Sequence, residues 1–254
     1  ANDFLATQER DDIRLCGVNA FDPQQGMLFL PRLAWRREAG RATLRLYLSS
    51  ETSLQQDAER ARTCLAALCA DHTPTELALQ QEGEAHLPDK AGWCQMIQQA
   101  TQAIRRGEFS KVVLARATDL LFSRAPHAGA LMAASRRVNF SCYHFYMAFD
   151  AQRTFLGSSP ERLWRRRGLH LDTEALAGTV AGHSDDATAK RLGDWLMNDD
   201  KNQRENGLVV EDICQRLQGM TQTLDVLPAE VVRLRKVQHL RRRIQAELET
   251  ADDA

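Results

Sequence analysis

The sequence predicts an α+β fold. Short apolar segments with strand-like alternation recur along the chain, long stretches with helical spacing lie among them, and the two kinds do not alternate regularly enough for a parallel α/β repeat. Ile13 to Val18 and Thr43 to Leu48 read as the first strands, the second alternating Leu44, Leu46 and Leu48 with Arg45 and Tyr47. Gln55 to Ala70 and Ala91 to Arg106 carry apolar residues at helical spacing; Trp93, Met96, Ile97, Ala100 and Ile104 form one stripe expected in the core. Between them Asp71 to Lys90, with His72, Pro74 and Pro88, reads as a connection. Lys111 to Arg116, Cys142 to Phe149, Thr154 to Gly157 and His170 to Ala177 are expected as strands, the last ended by Gly178-Thr179. A long helical segment follows from Ala187 to Leu217, with Trp195, Leu196, Leu208, Val209, Ile213 and Leu217 available for its apolar face. A strand at Thr221 to Leu227 and a helix from Val237 complete the reading. No internal repeat or low-complexity tract is present.

At 254 residues the chain is long enough for one large domain or two ordinary ones. Its 33 Lys+Arg stand against 34 Asp+Glu, and a net charge of −1 gives no general attraction to nucleic acid or to an acidic membrane. The arginine runs 165–167 and 241–243 lack interleaved aromatics and read as solvated faces, so no nucleic-acid partner is expected. No apolar run approaches a membrane span, and Ala1 to Asp12 does not resemble a signal peptide, so no membrane partner and a cytoplasmic location are expected. Cys16, Cys64, Cys69, Cys94, Cys142 and Cys214 show no metal-ligand spacing and read as reduced packing residues.

Taken singly, the chemically interesting residues have plain explanations. Lys111 at the start of a β-rich run reads as a snorkelling lysine, Glu161 after Ser-Ser-Pro as an exposed turn residue, and Glu205 as part of a solvated helix face. Their order and wording change that reading. Glu108 to Arg116 (EFSKVVLAR), Gly157 to Leu163 (GSSPERL), Glu174 to Thr179 (EALAGT), Lys201 to Asn206 (KNQREN) and Val237 to Leu240 (VQHL) resemble, in order, successive blocks of the chorismate-binding enzyme family. The likeness covers Trp93 to Ile244 well, while the first ninety residues resemble only that family's variable amino-terminal portion. The wording Thr173 to Thr179, with Trp195 to Leu217, is most similar to the menaquinone-specific isochorismate synthases.

The resemblance implies a large mixed, mainly antiparallel β-sheet core flanked by helices, divided into a variable part over residues 1–90 and a partial catalytic region over 91–254. It implies chorismate as substrate, Mg²⁺ as cofactor and a possible homo-oligomer. The reaction removes a ring hydroxyl at one end of a conjugated system and adds a nucleophile at the other, so it needs a base, an acid and charge neutralisation. Lys111 maps to the base that activates water, which requires a neutral amine; Glu161 maps to the general acid, which requires a carboxyl held protonated. Glu205 maps to a magnesium carboxylate. Leu176, Ala177, Gly178 and Thr179 map to a substrate loop, and His239 to an active-site histidine, although a polar anchor at a helix start explains His239 equally well.

Family members that add ammonia usually lack the lysine, and some carry lysine where this chain has Ala177, so water is the expected nucleophile and isochorismate the expected product. Salicylate synthases share the lysine and are the nearest alternative. The sequence ends before the family's carboxy-terminal blocks, which hold further substrate-binding residues and a second magnesium glutamate. An incomplete site, inactivity of this polypeptide alone and uncovered apolar surface are therefore expected. An inert binding or assembly module is the reading from a different functional class.

Overall fold

A computed structural model describes residues 14–22, 24–68 and 79–250. The expectations for Ala1 to Asp12, Ile13, Cys69, His72 and Pro74 lie outside them. The chain divides into two compact units, Ala1–His72 and Thr73–Ala254. No helix among the described residues is long and apolar enough to cross a membrane.

The first unit holds two antiparallel hairpins, β1 (Cys16–Asn19) with β2 (Gly26–Phe29) and β3 (Leu33–Glu38) with β4 (Arg41–Leu46), followed by α1 (Leu54–Ala66). The second hairpin turns through Ala39 and Gly40, both at positive φ, as a two-residue loop between twisted strands requires. Asp57 of α1 is buried and joins helix to hairpin: its carboxylate accepts the Ser49 amide at 2.8 Å and pairs with Arg32 at 2.8 Å. The Ser49 hydrogen bond outweighs burial and, with Arg32, holds this carboxyl below the usual range.

The second unit begins with β5 (Gln81–Leu87), α2 (Lys90–Arg105) and β6 (Ala117–Phe122); β5 and β6 pair antiparallel. Asp89 caps α2 by accepting the Gly92 amide at 2.8 Å. After α3 (Ala128–Val138), β7 (Tyr143–Ala148) and β8 (Thr154–Ser159) form another antiparallel hairpin. The remaining elements are β9 (Arg165–Arg167), β10 (His170–Ala181), α4 (Asp186–Asn198), α5 (Asp200–Leu217), β11 (Thr221–Val226), β12 (Glu230–Arg233) and β13 (Val237–Leu248). Their five strands make an antiparallel sheet in the order β11-β13-β10-β9, with β12 also on β13. Helices α4 and α5 pack against it.

The centre of this sheet is irregular in one place. Leu176 opposes Arg241 and Thr179 opposes His239, so Ala177 and Gly178 together face the single residue Leu240. Gly178 turns there with φ +87°, and a Cβ on it would meet Asn202 at 3.2 Å. The bulge breaks the ladder, and the fully buried Asn206 of α5 repairs it. Its Nδ2 donates to the carbonyls of Ala175, Ala177 and Leu240, each at 3.1 Å, while its Oδ1 accepts from Arg242 at 2.6 Å. No buried side-chain polar atom among the described residues lacks a partner.

Several expectations are corrected. The segment from Val237 is a strand, because its even-numbered residues Gln238, Leu240, Ile244, Ala246 and Leu248 are buried at period two. His239 therefore sits inside a sheet and not at a helix start. Lys111 to Arg116 is irregular: among the described residues no strand pairs with it, and the ladder begins only at Ala117. The connection from Asp71 to Lys90 contains β5, Gly178-Thr179 does not end β10 but lies within it, Gly178 in the bulge and Thr179 paired again with His239, and the helix over Ala187 to Leu217 is broken at Asp199, whose side chain caps α5 by accepting the Asn202 amide. Trp195 is exposed, as are Ile97 and Ile104 of the α2 stripe; Trp93, Met96 and Ala100 are half-buried. Cys142 and Cys214 are half-buried and their thiols are pushed up by that burial, but Cys16, Cys64 and Cys94 are exposed and so are not packing residues; these five are unpaired.

Two stability outcomes follow from the bulge. Asn206→Ala strands three carbonyls and Arg242 and should lower the urea midpoint by the equivalent of about 2–3 kcal/mol with an unchanged slope. Gly178→Ala forces a Cβ into a positive-φ position and should cost roughly 1–2 kcal/mol, read as a lower melting temperature.

Candidate active site

The acidic loop follows β8. Pro160 ends the strand, and Ser159 ties the next residues back: its Oγ accepts the Glu161 amide and donates to the Glu161 carbonyl, both at 3.2 Å. Beyond β9 the free edge of β10 receives this loop. The Arg162 amide donates to Glu174 at 2.9 Å, and Thr173 Oγ1 donates to the Leu163 carbonyl at 2.7 Å. The Arg162 guanidinium stacks over Tyr143 at 4.9 Å. A cavity of about 380 Å³ opens beside the loop, lined among others by Glu161, Arg162, Thr173, Glu174 and Ile213. Solvent reaches Glu161, yet the surrounding protein raises its carboxyl above the usual range; the charge of Glu174 pushes the same way and Lys111 opposes both.

The cationic side is built on α5. Glu205 occupies its second turn, half-exposed, with Oε1 at 3.4 Å from Lys111 Nζ. Asn202 and Asn206 lie on the same helical face at i and i+4, flanking it. Asp199 orients Asn202 by accepting from its amide at 3.0 Å and its side-chain nitrogen at 2.7 Å, and Asn202 Oδ1 in turn accepts the Thr179 amide at 3.1 Å. Thr179 Oγ1 and His239 Nδ1 are 2.9 Å apart across the strand pair. Burial lowers the pKa of His239, against a smaller opposing effect from a hydrogen bond with the Gly178 backbone, so its imidazole is neutral at neutral pH.

The fold thus brings Lys111 to Glu205, sets Lys111 and Glu174 close enough to Glu161 for their charges to act on it, and joins Thr179 to His239. Leu176 is half-buried beside them, whereas Ala177 and Gly178 are buried and offer backbone alone. Lys111, Glu205, Thr179 and His239 do not line the cavity beside Glu161. Among the described residues no group of three or more His, Cys, Asp or Glu could hold a metal ion. A single accessible carboxylate, Glu205, still fits Mg²⁺, which takes one or two protein carboxylates and keeps several waters.

Sequence reasoning gave no role to Glu174, Asn202 or Asn206 and read Arg241 and Arg242 as a solvated face, whereas both are half-buried and paired, Arg241 with Glu174 and Glu230 and Arg242 with Asn206 and Gln203. The signal available for the two asparagines was their spacing around Glu205; for Glu174 and Arg241 it was charge on a strand that otherwise buries alternate residues.

The family model described as "Chorismate binding enzyme" matches residues 11–253. The chain is 63% identical over 245 residues to the isochorismate synthase MenF of Escherichia coli strain K12, covering 96% of this chain and 57% of that protein. It is 40% identical over 222 residues to the MenF of Pasteurella multocida, covering 87% and 51%. Among solved structures, that of the menaquinone-specific isochorismate synthase MenF from Escherichia coli superposes with a TM-score of 0.94 at 62% identity, over 99% of this chain and 59% of the other. The chain spans a little over half the length of these relatives. With the family model matched over nearly all of its length, the chain belongs to the chorismate-binding enzyme family.

Proposed function

We propose that this chain carries the acid and base of an isochorismate synthase that hydrates chorismate in menaquinone biosynthesis, and that residues 91–254 form its catalytic region and residues 1–90 a variable part of the same fold. The observation that supports this best is the gathering of Glu205, Lys111 and Glu161: the lysine lies 3.4 Å from Glu205 and near enough for its charge to act on Glu161, a carboxyl whose protonated form burial favours. Hydration across a conjugated ring needs one group to take a proton from water and another to give one to the departing hydroxyl. Lys111, once it has given up its own proton and the Glu205 contact, takes a proton from water as the new C–O bond forms. Glu161 gives its proton to the leaving hydroxyl, which departs as water, so the ring gains and loses the same elements. Because the Glu161 pKa is raised, its acid form persists to higher pH than an ordinary glutamate allows.

Thr179 and the neutral His239 supply hydrogen-bonding groups for substrate oxygens beside the bulge formed by Leu176, Ala177 and Gly178. Glu205 would hold Mg²⁺, which supplies, when bound, neutralisation of a substrate carboxylate.

In the full-length protein, Lys111→Ala and Glu161→Gln should each lower kcat by about 10²-fold or more, with isochorismate as the wild-type product when chorismate and Mg²⁺ are supplied. Wild-type turnover in either variant would remove that residue from the mechanism, and salicylate as the product would move the enzyme to the neighbouring activity. Activity of wild type should fall as pH rises through the Glu161 pKa, since the donor is then deprotonated, and a pH profile of kcat/KM measures this.

A further inference from the structure

Glu174 is a buried charge that the reading above leaves without a task. It is 9% exposed on β10, where one carboxylate oxygen accepts the Arg162 amide at 2.9 Å and the other lies 3.4 Å from Arg241 of β13. The Arg162 amide belongs to the residue directly after Glu161, so Glu174 is fastened to the backbone that presents the proposed acid. Its neighbour Thr173, pointing to the opposite face of the strand, holds the next residue through the Leu163 carbonyl at 2.7 Å. The loop is therefore clasped from both faces of β10.

The charges around this loop come from four elements. Glu174 faces Glu161 from β10, and Lys111 faces it from the segment before β6. Behind Glu174 stands Arg241, which is shared with Glu230 of β12 at 3.0 Å; Glu230 in turn also holds Arg243 at 3.0 Å. Arg241 thus divides its charge between two carboxylates and pairs with Glu174 only at the longer distance. Glu174 and Glu161 thus stand as two carboxyl groups lining one cavity, and two like charges in one site disfavour ionisation of the more weakly paired one.

We propose that Glu174 is a positioning residue for the acid step: its carboxylate fixes the loop through the Arg162 amide and sets a negative charge beside Glu161 in the cavity that both line. This rests on Glu161 being the acid. Burial raises the Glu161 pKa most, and Glu174 adds to it against Lys111.

The test separates anchor from charge in the full-length protein. Glu174→Gln keeps an oxygen for the Arg162 amide and deletes the charge. The Glu161 carboxyl resonance, in protein labelled with ¹³C-glutamate and assigned by its loss in Glu161→Gln, should titrate about half a unit or more lower in Glu174→Gln than in wild type. The alkaline fall of kcat/KM should move to lower pH by the same amount, with KM for chorismate within about twofold. Thr173→Val loosens the loop but keeps the charge, so it should lower kcat without moving either midpoint. Should Glu174→Gln fail to fold, Glu174→Asp withdraws the charge from the loop while retaining its cation, and the same downward movement is expected. An unmoved Glu161 midpoint in a folded variant would overturn the proposal, because Glu174 would then be an anchor alone. Retained turnover in Glu161→Gln would instead remove the acid assignment, a failure that the titration of the carboxyl itself does not share.

Discussion

The pairing of β10 with β13 governs every other distance in the candidate site. Each strand is twelve residues long, and their antiparallel register runs from His170 opposite Glu247 to Ala181 opposite Val237, interrupted once at Ala177 and Gly178. A one-residue slip of either strand would exchange its two faces, removing Leu240 and Ile244 from the buried side and placing His239 and Arg241 there instead. Asn206 makes that slip costly, because its amide matches three particular carbonyls that only this register with this bulge brings together. Arg242 is locked by the same residue and by Gln203 at 2.6 Å, so a helix and two strands share one hydrogen-bonded knot.

The knot explains how a helix can present Glu205 to Lys111 with little help from apolar packing on that turn. Asn202 and Asn206 are buried and committed to the sheet, which fixes the rotation of α5 about its own axis. Glu205, one residue before Asn206, then has a single direction available. The same sheet edge clasps the Glu161 loop through Thr173 and Glu174. The proposed base, acid and metal carboxylate sit on irregular chain or half-exposed helix, but each is referred to a rigid strand pair, and preorganisation of that kind is what proton transfer at a bound substrate needs.

Most strands with clean alternation were legible in the sequence, β4, β7 and β11 among them, and so were α1 and α2 to within a few residues; the single helix expected over Ala187 to Leu217 is two, α4 and α5, and α3 was not foreseen. The failure at β13 has a physical cause. Gln, Arg, Ala, Leu and Glu are all good helix formers, and the charged Arg242 stands where period two calls for an apolar residue, so propensity and pattern disagreed. The structure resolves the disagreement through a partner that local sequence does not reveal: Arg242 is satisfied from α5, thirty-six residues earlier at Asn206. Lys111 to Arg116 failed the other way, with β-rich residues but no strand to pair them. The site residues themselves were legible only through a likeness of ordered motifs, since Lys111, Glu161 and Glu205 are unremarkable one at a time. The asparagines and Glu174 stood inside those same motifs, and their tasks became visible only as hydrogen bonds.

The two faces of the central sheet also argue for where chemistry belongs. One face buries Ala175, Ala177, Leu240 and Ile244 with Gln238 and Asn206 satisfied among them. The other carries Glu174, Leu176, Thr179, His239, Arg241 and Arg243, a concentration of ionisable groups along two neighbouring strands. Stability alone does not favour this second face: a buried Glu–Arg contact at 3.4 Å recovers little of the desolvation its charges suffer, and apolar residues of similar size would hold the strands at least as well. Nor is the arrangement a surface salt bridge, because Glu174 is nearly closed off from solvent and is bonded to backbone as well as to arginine. The charge at such a position, one strand residue from Thr173 and beside the Glu161 loop, fits the task proposed for it, which is to hold that loop through the Arg162 amide and to set a negative charge beside its carboxyl.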